Sequence, residues 1–170
     1  MDKELFNKLS SSIDGVMSRD EGLLEDLIYR SLVNKAHVVE ADEYDNLGIR
    51  IVLNYGHTIG HALESASGFS ISHGKAVGLG MICESTIGVK LGYTSPDIPS
   101  YLTELLSELN LIQSIRVNAE SALRAITGDK KKRGDSLNLP MVTEVGNWVK
   151  VKIKVDEYIK LVKESCTYMA

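Results

Sequence analysis

Three of the four histidines of this chain fall between Leu53 and Met81, in the stretch LNYGHTIGHALESASGFSISHGKAVGLGM. His57 and His61 are four residues apart, so on a helix they share one face, one turn apart. Glu64 follows on the same face. His73 comes after a Gly-Phe-Ser-Ile-Ser turn and opens a second apolar run. A helix, a reversal and a second helix would bring the third imidazole back toward the first two. Imidazoles and a carboxylate converging from two elements are the ligand types of a divalent transition metal, zinc foremost. The spacing by itself would coordinate His57, His61 and His73 together. A zinc-protease helix is excluded, because that motif places Glu directly after its first His and Thr58 stands there.

The elements that must hold these groups read as mostly helical, since Pro is scarce and turn clusters are few. Leu5, Phe6 and Leu9 form one stripe of a helix that begins almost at Met1, an abrupt start expected of a piece of a longer protein. Ser18 to Glu21 reads as a capping box. It would open a long amphipathic helix through Leu24, Leu27, Ile28 and Leu32 toward Val39, with Lys35 as a solvated lysine on it. After a polar link from Asp42 to Gly48, a third helix carries Arg50, Asn54, His57 and His61 as one continuous stripe. Arg, Asn and His are the side chains that grip carboxylates, hydroxyls, phosphates and metals.

The fourth helix runs from His73 to about Leu91. It is apolar nearly all round and carries Gly74, Gly78 and Gly80, which predicts a central buried helix closely approached by another backbone or a ligand. Pro99 to Asn110 reads as another helix, and Asn118 as the N-cap of Ala119 to Ile126. Gly128 to Gly134 is a basic loop, either solvated surface or a flexible phosphate clamp. Leu137 to Val155 changes to a period of two around Gly146-Asn147, a β-hairpin, and Asp156 would cap a last helix. The expected fold is therefore mainly α, a helical bundle with a small β-hairpin, in one domain spanning residues 1–170.

Composition narrows the function classes. A net charge of −4 argues against a general nucleic-acid binder. Two cysteines without metal-type spacing suggest reduced thiols and a cytoplasmic protein. No apolar run reaches membrane-spanning length.

LNYGHTIGHALE and SHGKAVGLGM, preceded by NKAHVVEADE and followed by GDKKKRG, resemble the C-terminal helical half of the 3-dehydroquinate synthases, and the likeness runs in order over essentially the whole chain. The wider sugar-phosphate cyclase group, 2-deoxy-scyllo-inosose synthase included, is similar in much of this pattern. The resemblance implies a zinc- and NAD-dependent cyclase of the shikimate pathway. Such an enzyme converts 3-deoxy-arabino-heptulosonate 7-phosphate into 3-dehydroquinate with loss of phosphate, and works as a cytoplasmic homodimer when full length. It implies that His57 and His73 are zinc ligands, with a third ligand, a glutamate, that would precede Met1. Arg50, Asn54 and Lys35 would hold the substrate's carboxylate end. His61 would stand beside the phosphate and hydroxyls rather than on the metal, and Lys130 or Lys131 would bind phosphate. An NAD-binding N-terminal domain is expected from the family and is not found here. The link from Asp42 to Gly48 is one residue longer than the family form. The rival readings are another sugar-phosphate cyclase, or a stand-alone helical metal-binding or interaction domain without catalysis.

Overall fold

The computed structural model describes residues 2–112, 117–128 and 135–167. In chain order it forms α1 (Lys3–Ser11), α2 (Ile13–Met17), α3 (Glu21–Ala41), a 3-10 turn (Arg50–Asn54), α4 (His57–Ala66), α5 (His73–Lys90), α6 (Ile98–Glu108), α7 (Ala119–Gly128), an antiparallel hairpin of β1 (Ser136–Glu144) and β2 (Asn147–Lys154), and α8 (Val155–Ser165). This is the helical bundle with a small hairpin that the periodicities imply.

α5 is the central helix. Its sequence is apolar on every side, and Ala76 to Gly80, Ile82 to Ser85, Ile87 and Gly88 are all buried. α4 and α6 pack along it, as do α8 and the hairpin. The core gathers Ile59 and Leu63 of α4, Leu79 and Ile87 of α5, Met141 of β1, and Tyr158 and Val162 of α8, all fully buried. In the hairpin, Leu137 pairs with Ile153 and Leu139 with Val151, so period-two alternation turns these four apolar side chains inward together. Cys83 and Cys166 are buried free thiols.

Several local expectations are corrected. Arg50, Asn54, His57 and His61 do not share one helical stripe. The 3-10 turn ends at Asn54, Tyr55 is extended at ψ 126°, and Gly56 takes φ 78° before α4 begins at His57. The break has a packing cause. A Cβ on Gly56 would lie 2.6 Å from the carbonyl oxygen of Val77 and 2.9 Å from the backbone nitrogen of Met81, so α5 leaves room for backbone alone. α3 is capped by Asp20, whose Oδ1 accepts the Leu23 N–H at 2.8 Å, rather than by Ser18. Arg19 at φ 61° turns the chain between them. The stripe on α3 is not buried: Ile28, Tyr29 and Leu32 are 59%, 65% and 62% exposed, and Val38 is the residue of this helix that enters the core. In α8, Asp156 sits in the first turn rather than at the cap: the helix starts two residues earlier, with Lys154 at the cap and the Val155 N–H bonded to Asp135 O at 3.0 Å.

The acidic link after α3 is built on Asp42, which is 3% exposed. Its Oδ1 accepts from the N–H groups of Asn46 (2.8 Å) and Leu47 (3.0 Å), and its Oδ2 from Ile49 (2.9 Å) and Arg50 (3.4 Å). The Leu47 bond, helped by those of Ile49, Arg50 and Asn46 against the effect of burial, holds the Asp42 carboxyl below its usual range.

Two predictions follow from this packing. Gly80→Ala drives a methyl into the Gly56 carbonyl oxygen, which has no side-chain freedom with which to yield, and should cost about 1–3 kcal/mol or more. Gly74→Ala on the same helix meets nothing within 4 Å and should stabilise by about 0.5–1 kcal/mol; urea denaturation of both variants checks the opposite signs. For Asp42, a depressed carboxyl contributes stability above its unfolded pKa, here 3.8, and loses it as pH falls through the lower folded value. Asp42→Asn should therefore lower Tm at pH 7, and the gap to the parent chain should close below about pH 4.

Candidate metal and substrate site

His57 is the first residue of α4 and His73 the first of α5, with His61 one turn into α4. The crossing of the two helices therefore sets the separation of the rings. The centroids of His57 and His61 are 5.5 Å apart, those of His57 and His73 5.3 Å, and those of His61 and His73 5.7 Å. The reversal through Ser67 to Ser72 brings the third imidazole back to the first two, as the spacing requires.

Hydrogen bonds orient two of the rings. His57 Nδ1 lies 3.2 Å from the carbonyl oxygen of Tyr55. A carbonyl only accepts, so Nδ1 carries the proton and Nε2 keeps a free lone pair. His73 Nδ1 lies 3.2 Å from both carboxylate oxygens of Glu64. Donation to that carboxylate leaves Nε2 of His73 free in the same way, and it is the arrangement by which metal-ligating histidines are aligned. Glu64 was placed on the histidine face by its spacing, and the structure adds its hold on His73.

The donor set suits a divalent cation. Ligand atoms of His61, Glu64 and His73 all lie within 4.8 Å of one another. Two ligand atoms each about 2.1 Å from one tetrahedral ion are about 3.4 Å apart, so side-chain adjustment of about an ångström would close the group on an ion. His57 is outside that group by its ligand atoms, although its ring centroid lies 5.5 Å from that of His61 and 5.3 Å from that of His73.

The imidazoles of His57 and His61 open onto a cleft of about 610 Å³. Asn54 and Thr58 line it beside them, and Ser136 to Pro140 with Lys150 line it from the hairpin. Asn54 thus shares the cleft with the histidines although it lies on a separate turn. Arg50 sits at the edge of the Asp42 loop, its Nη1 donating to Glu43 O at 3.2 Å, and Lys35 is exposed on α3; neither lines the cleft. Lys130 and Lys131 lie outside the described residues. In the sequence Lys150 is one of three lysines that alternate with Val149, Val151 and Ile153 along β2. It reaches across to Gly48, where a Cβ would stand 2.5 Å from its Nζ. Its place in the cleft depends on the pairing of hairpin and loop, which no local pattern displays.

Comparison with known proteins bears on the family of the chain. The family described as 3-dehydroquinate synthase C-terminal matches residues 1–132. The 3-dehydroquinate synthase of Sulfurisphaera tokodaii is 39% identical over 98% of this chain and 48% of its own length. That of Saccharolobus solfataricus is 40% identical with the same coverage, and that of Dictyoglomus turgidum 35% identical over 99% of the chain and 48% of its own. The chain spans about half the length of the curated relatives it matches. Among solved structures, 2-epi-5-epi-valiolone synthase from Streptomyces hygroscopicus, with NAD+ and Zn2+ bound, has a TM-score of 0.77 at 17% identity, covering 96% of this chain and 46% of that one. A 2-deoxy-scyllo-inosose synthase complexed with carbaglucose-6-phosphate, NAD+ and Co2+ has a TM-score of 0.72 at 24% identity, covering 85% and 41%. With a family match over most of its length and relatives near 40% identity across nearly all of it, the chain belongs to the 3-dehydroquinate synthase C-terminal family.

Proposed function

We propose that this chain is the metal- and substrate-binding half of a 3-dehydroquinate synthase, which closes 3-deoxy-arabino-heptulosonate 7-phosphate into 3-dehydroquinate with loss of phosphate. The observation that carries the reading is the convergence of His57, His61 and His73, the first two of which line one cleft, in a chain 39% identical to a protein of that name. NAD would be held mainly by the N-terminal half of the family.

The residues divide by what they can hold. His57 and His73 offer free Nε2 atoms to a metal, and Glu64 keeps the second of them aligned. A zinc or similar divalent cation, when bound, would polarise the substrate alcohol that is oxidised. His61 lines the same cleft and would exchange a proton with a hydroxyl or phosphate oxygen of the substrate. Asn54 offers an amide to the substrate's hydroxyls or carboxylate. Arg50 and Lys35, which do not line the cleft in this chain, and one of Lys130 and Lys131 would supply, in the full-length protein, the positive charge that a substrate with both a carboxylate and a phosphate needs. Holding both ends of the substrate lowers the entropic cost of an ordered multistep reaction.

The test is an assay of the full-length protein for NAD-dependent release of inorganic phosphate from 3-deoxy-arabino-heptulosonate 7-phosphate. Release from a six-carbon sugar phosphate alone would transfer the assignment to the second reading, a cyclase like the inosose synthase whose fold this chain shares. No phosphate release from either would favour a non-catalytic metal-binding domain.

In the full-length protein, Arg50→Ala should reduce substrate affinity about ten- to a hundredfold, the effect of losing a desolvated charged hydrogen bond worth about 1.5–3 kcal/mol. Tm should move little. Unchanged kinetics with a large drop in Tm would make Arg50 a structural residue. For the metal, chelator treatment of the 170-residue chain should leave its helical circular dichroism and Tm nearly unchanged, because an apolar core joins α4, α5, α8 and the hairpin without any ligand. Unfolding on chelation would make the ion structural.

A further inference from the structure

Glu84 is, with Asp42, one of two buried carboxylates among the described residues, and nothing in the proposed chemistry uses it. It lies on α5 with no exposed surface, among apolar neighbours, and burial pushes its carboxyl up to about 8. A buried carboxyl is destabilising unless it is well bonded. Its Oε2 accepts the backbone N–H of Gly56 at 2.7 Å, and the N–H groups of Ile59 and Thr58 also face it. The Tyr158 hydroxyl of α8 lies close enough to interact, although neither it nor Oε1 of Glu84 has a hydrogen-bond partner of good geometry.

The target of that carboxylate is the start of α4. Helices open on N–H groups that need acceptors, and a Ser, Thr, Asp or Asn at the cap normally supplies one. Here the cap residue is Gly56, which has no side chain and makes no cap bond of its own. It cannot be exchanged for a capping residue, because its φ is 78° and α5 fills the space its Cβ would take. Gly56 and Ile59 are buried, so water cannot serve instead. The acceptor arrives from α5. The next residue after Gly56 is His57, whose Nδ1 is tied to Tyr55 O on the other side of the same break.

We propose that Glu84 is a positioning residue for His57: it caps α4 from the neighbouring helix and so fixes where the first imidazole of the site stands. The proposal rests on the reading of His57 as a metal-facing group. The bond to Gly56 needs an oxygen at that place, not a charge, since a protonated carboxyl still accepts through its carbonyl oxygen.

The test uses Glu84→Asp, which withdraws the oxygen by one methylene, and Glu84→Gln, which keeps an oxygen where Oε2 lies. Both are studied by NMR in the 170-residue chain. In Glu84→Asp the Gly56 amide should exchange about tenfold faster relative to that of Ile87 deep in α5, as for the loss of one hydrogen bond. The ring signals of His57 should move while those of His37 on α3 do not. Glu84→Gln should keep Gly56 exchange within about twofold of the parent and leave the His57 ring in place, whatever Glu84→Asp does to the fold. Unchanged Gly56 exchange and an unmoved His57 ring in a folded Glu84→Asp chain would overturn the proposal. So would a Glu84→Gln chain in which both readouts are lost. A uniform rise in exchange at Gly56 and Ile87 alike, with no movement of the His57 ring, would reduce Glu84 to a general stabiliser. A Co2+ titration of the parent and of His57→Ala separates the two readings: identical affinities would remove His57 from the metal, whereas the amide and ring measurements would still decide the role of Glu84.

Discussion

The candidate site depends on one close contact, the approach of the α4 backbone to that of α5. Gly56, Gly60 and Gly80 meet there, and each lacks a side chain at a point where a Cβ would stand 3.0 Å or less from the opposing backbone. Helices normally keep 8–10 Å between axes because side chains separate them. Removing the side chains lets the two first residues, His57 and His73, come to 5.3 Å between ring centres. Glycine disfavours helix by up to about 1 kcal/mol per position, so the chain gives up local helical stability for that separation.

Three acidic side chains then hold what the helices bring together, and each is spent on geometry. Asp42 gathers four backbone N–H groups and shapes the loop that carries Arg50. Glu64 aligns His73. Glu84 reaches the start of α4. Their environments push them in opposite directions. Asp42 lies below the usual carboxylate range because backbone donors outweigh its burial, and Glu84 lies above because burial outweighs its donors. The cleft beside them is lined by the polar groups of His57, His61, Asn54 and Lys150, with Asp45 as an acidic residue among them.

The same economy explains the outer parts. α1, α2 and α3 pack chiefly on one another, and α3 also on the 3-10 turn. This leaves Ile28, Tyr29 and Leu32 facing outward. Periodicity alone gives no sign of that, because an apolar stripe shows that a face prefers burial and does not say what covers it.

Much was legible in the sequence. The period of 3.6 located α1, α3, α6 and α8, the change to a period of two located the hairpin, and a run apolar on all sides marked α5 as central. Asn118 caps α7 through a 2.8 Å bond to the Ser121 N–H, as its type and place suggest. The GHTIGH and SHGK segments were enough to indicate a metal-type convergence, since their spacing allows a helix, a reversal and a helix. Tertiary structure decided the rest. The stripe from Arg50 to His61 is broken at Gly56 because α5 occupies the space, and a sequence pattern contains no information about a neighbour 20 or more residues away. Whether Arg50 and Lys35 line the cleft, that Lys150 enters it from β2, and that Glu84 serves the first turn of α4 are likewise matters of packing. Local sequence sets which faces are apolar and where helices can start; the close approach of backbones sets which polar groups meet.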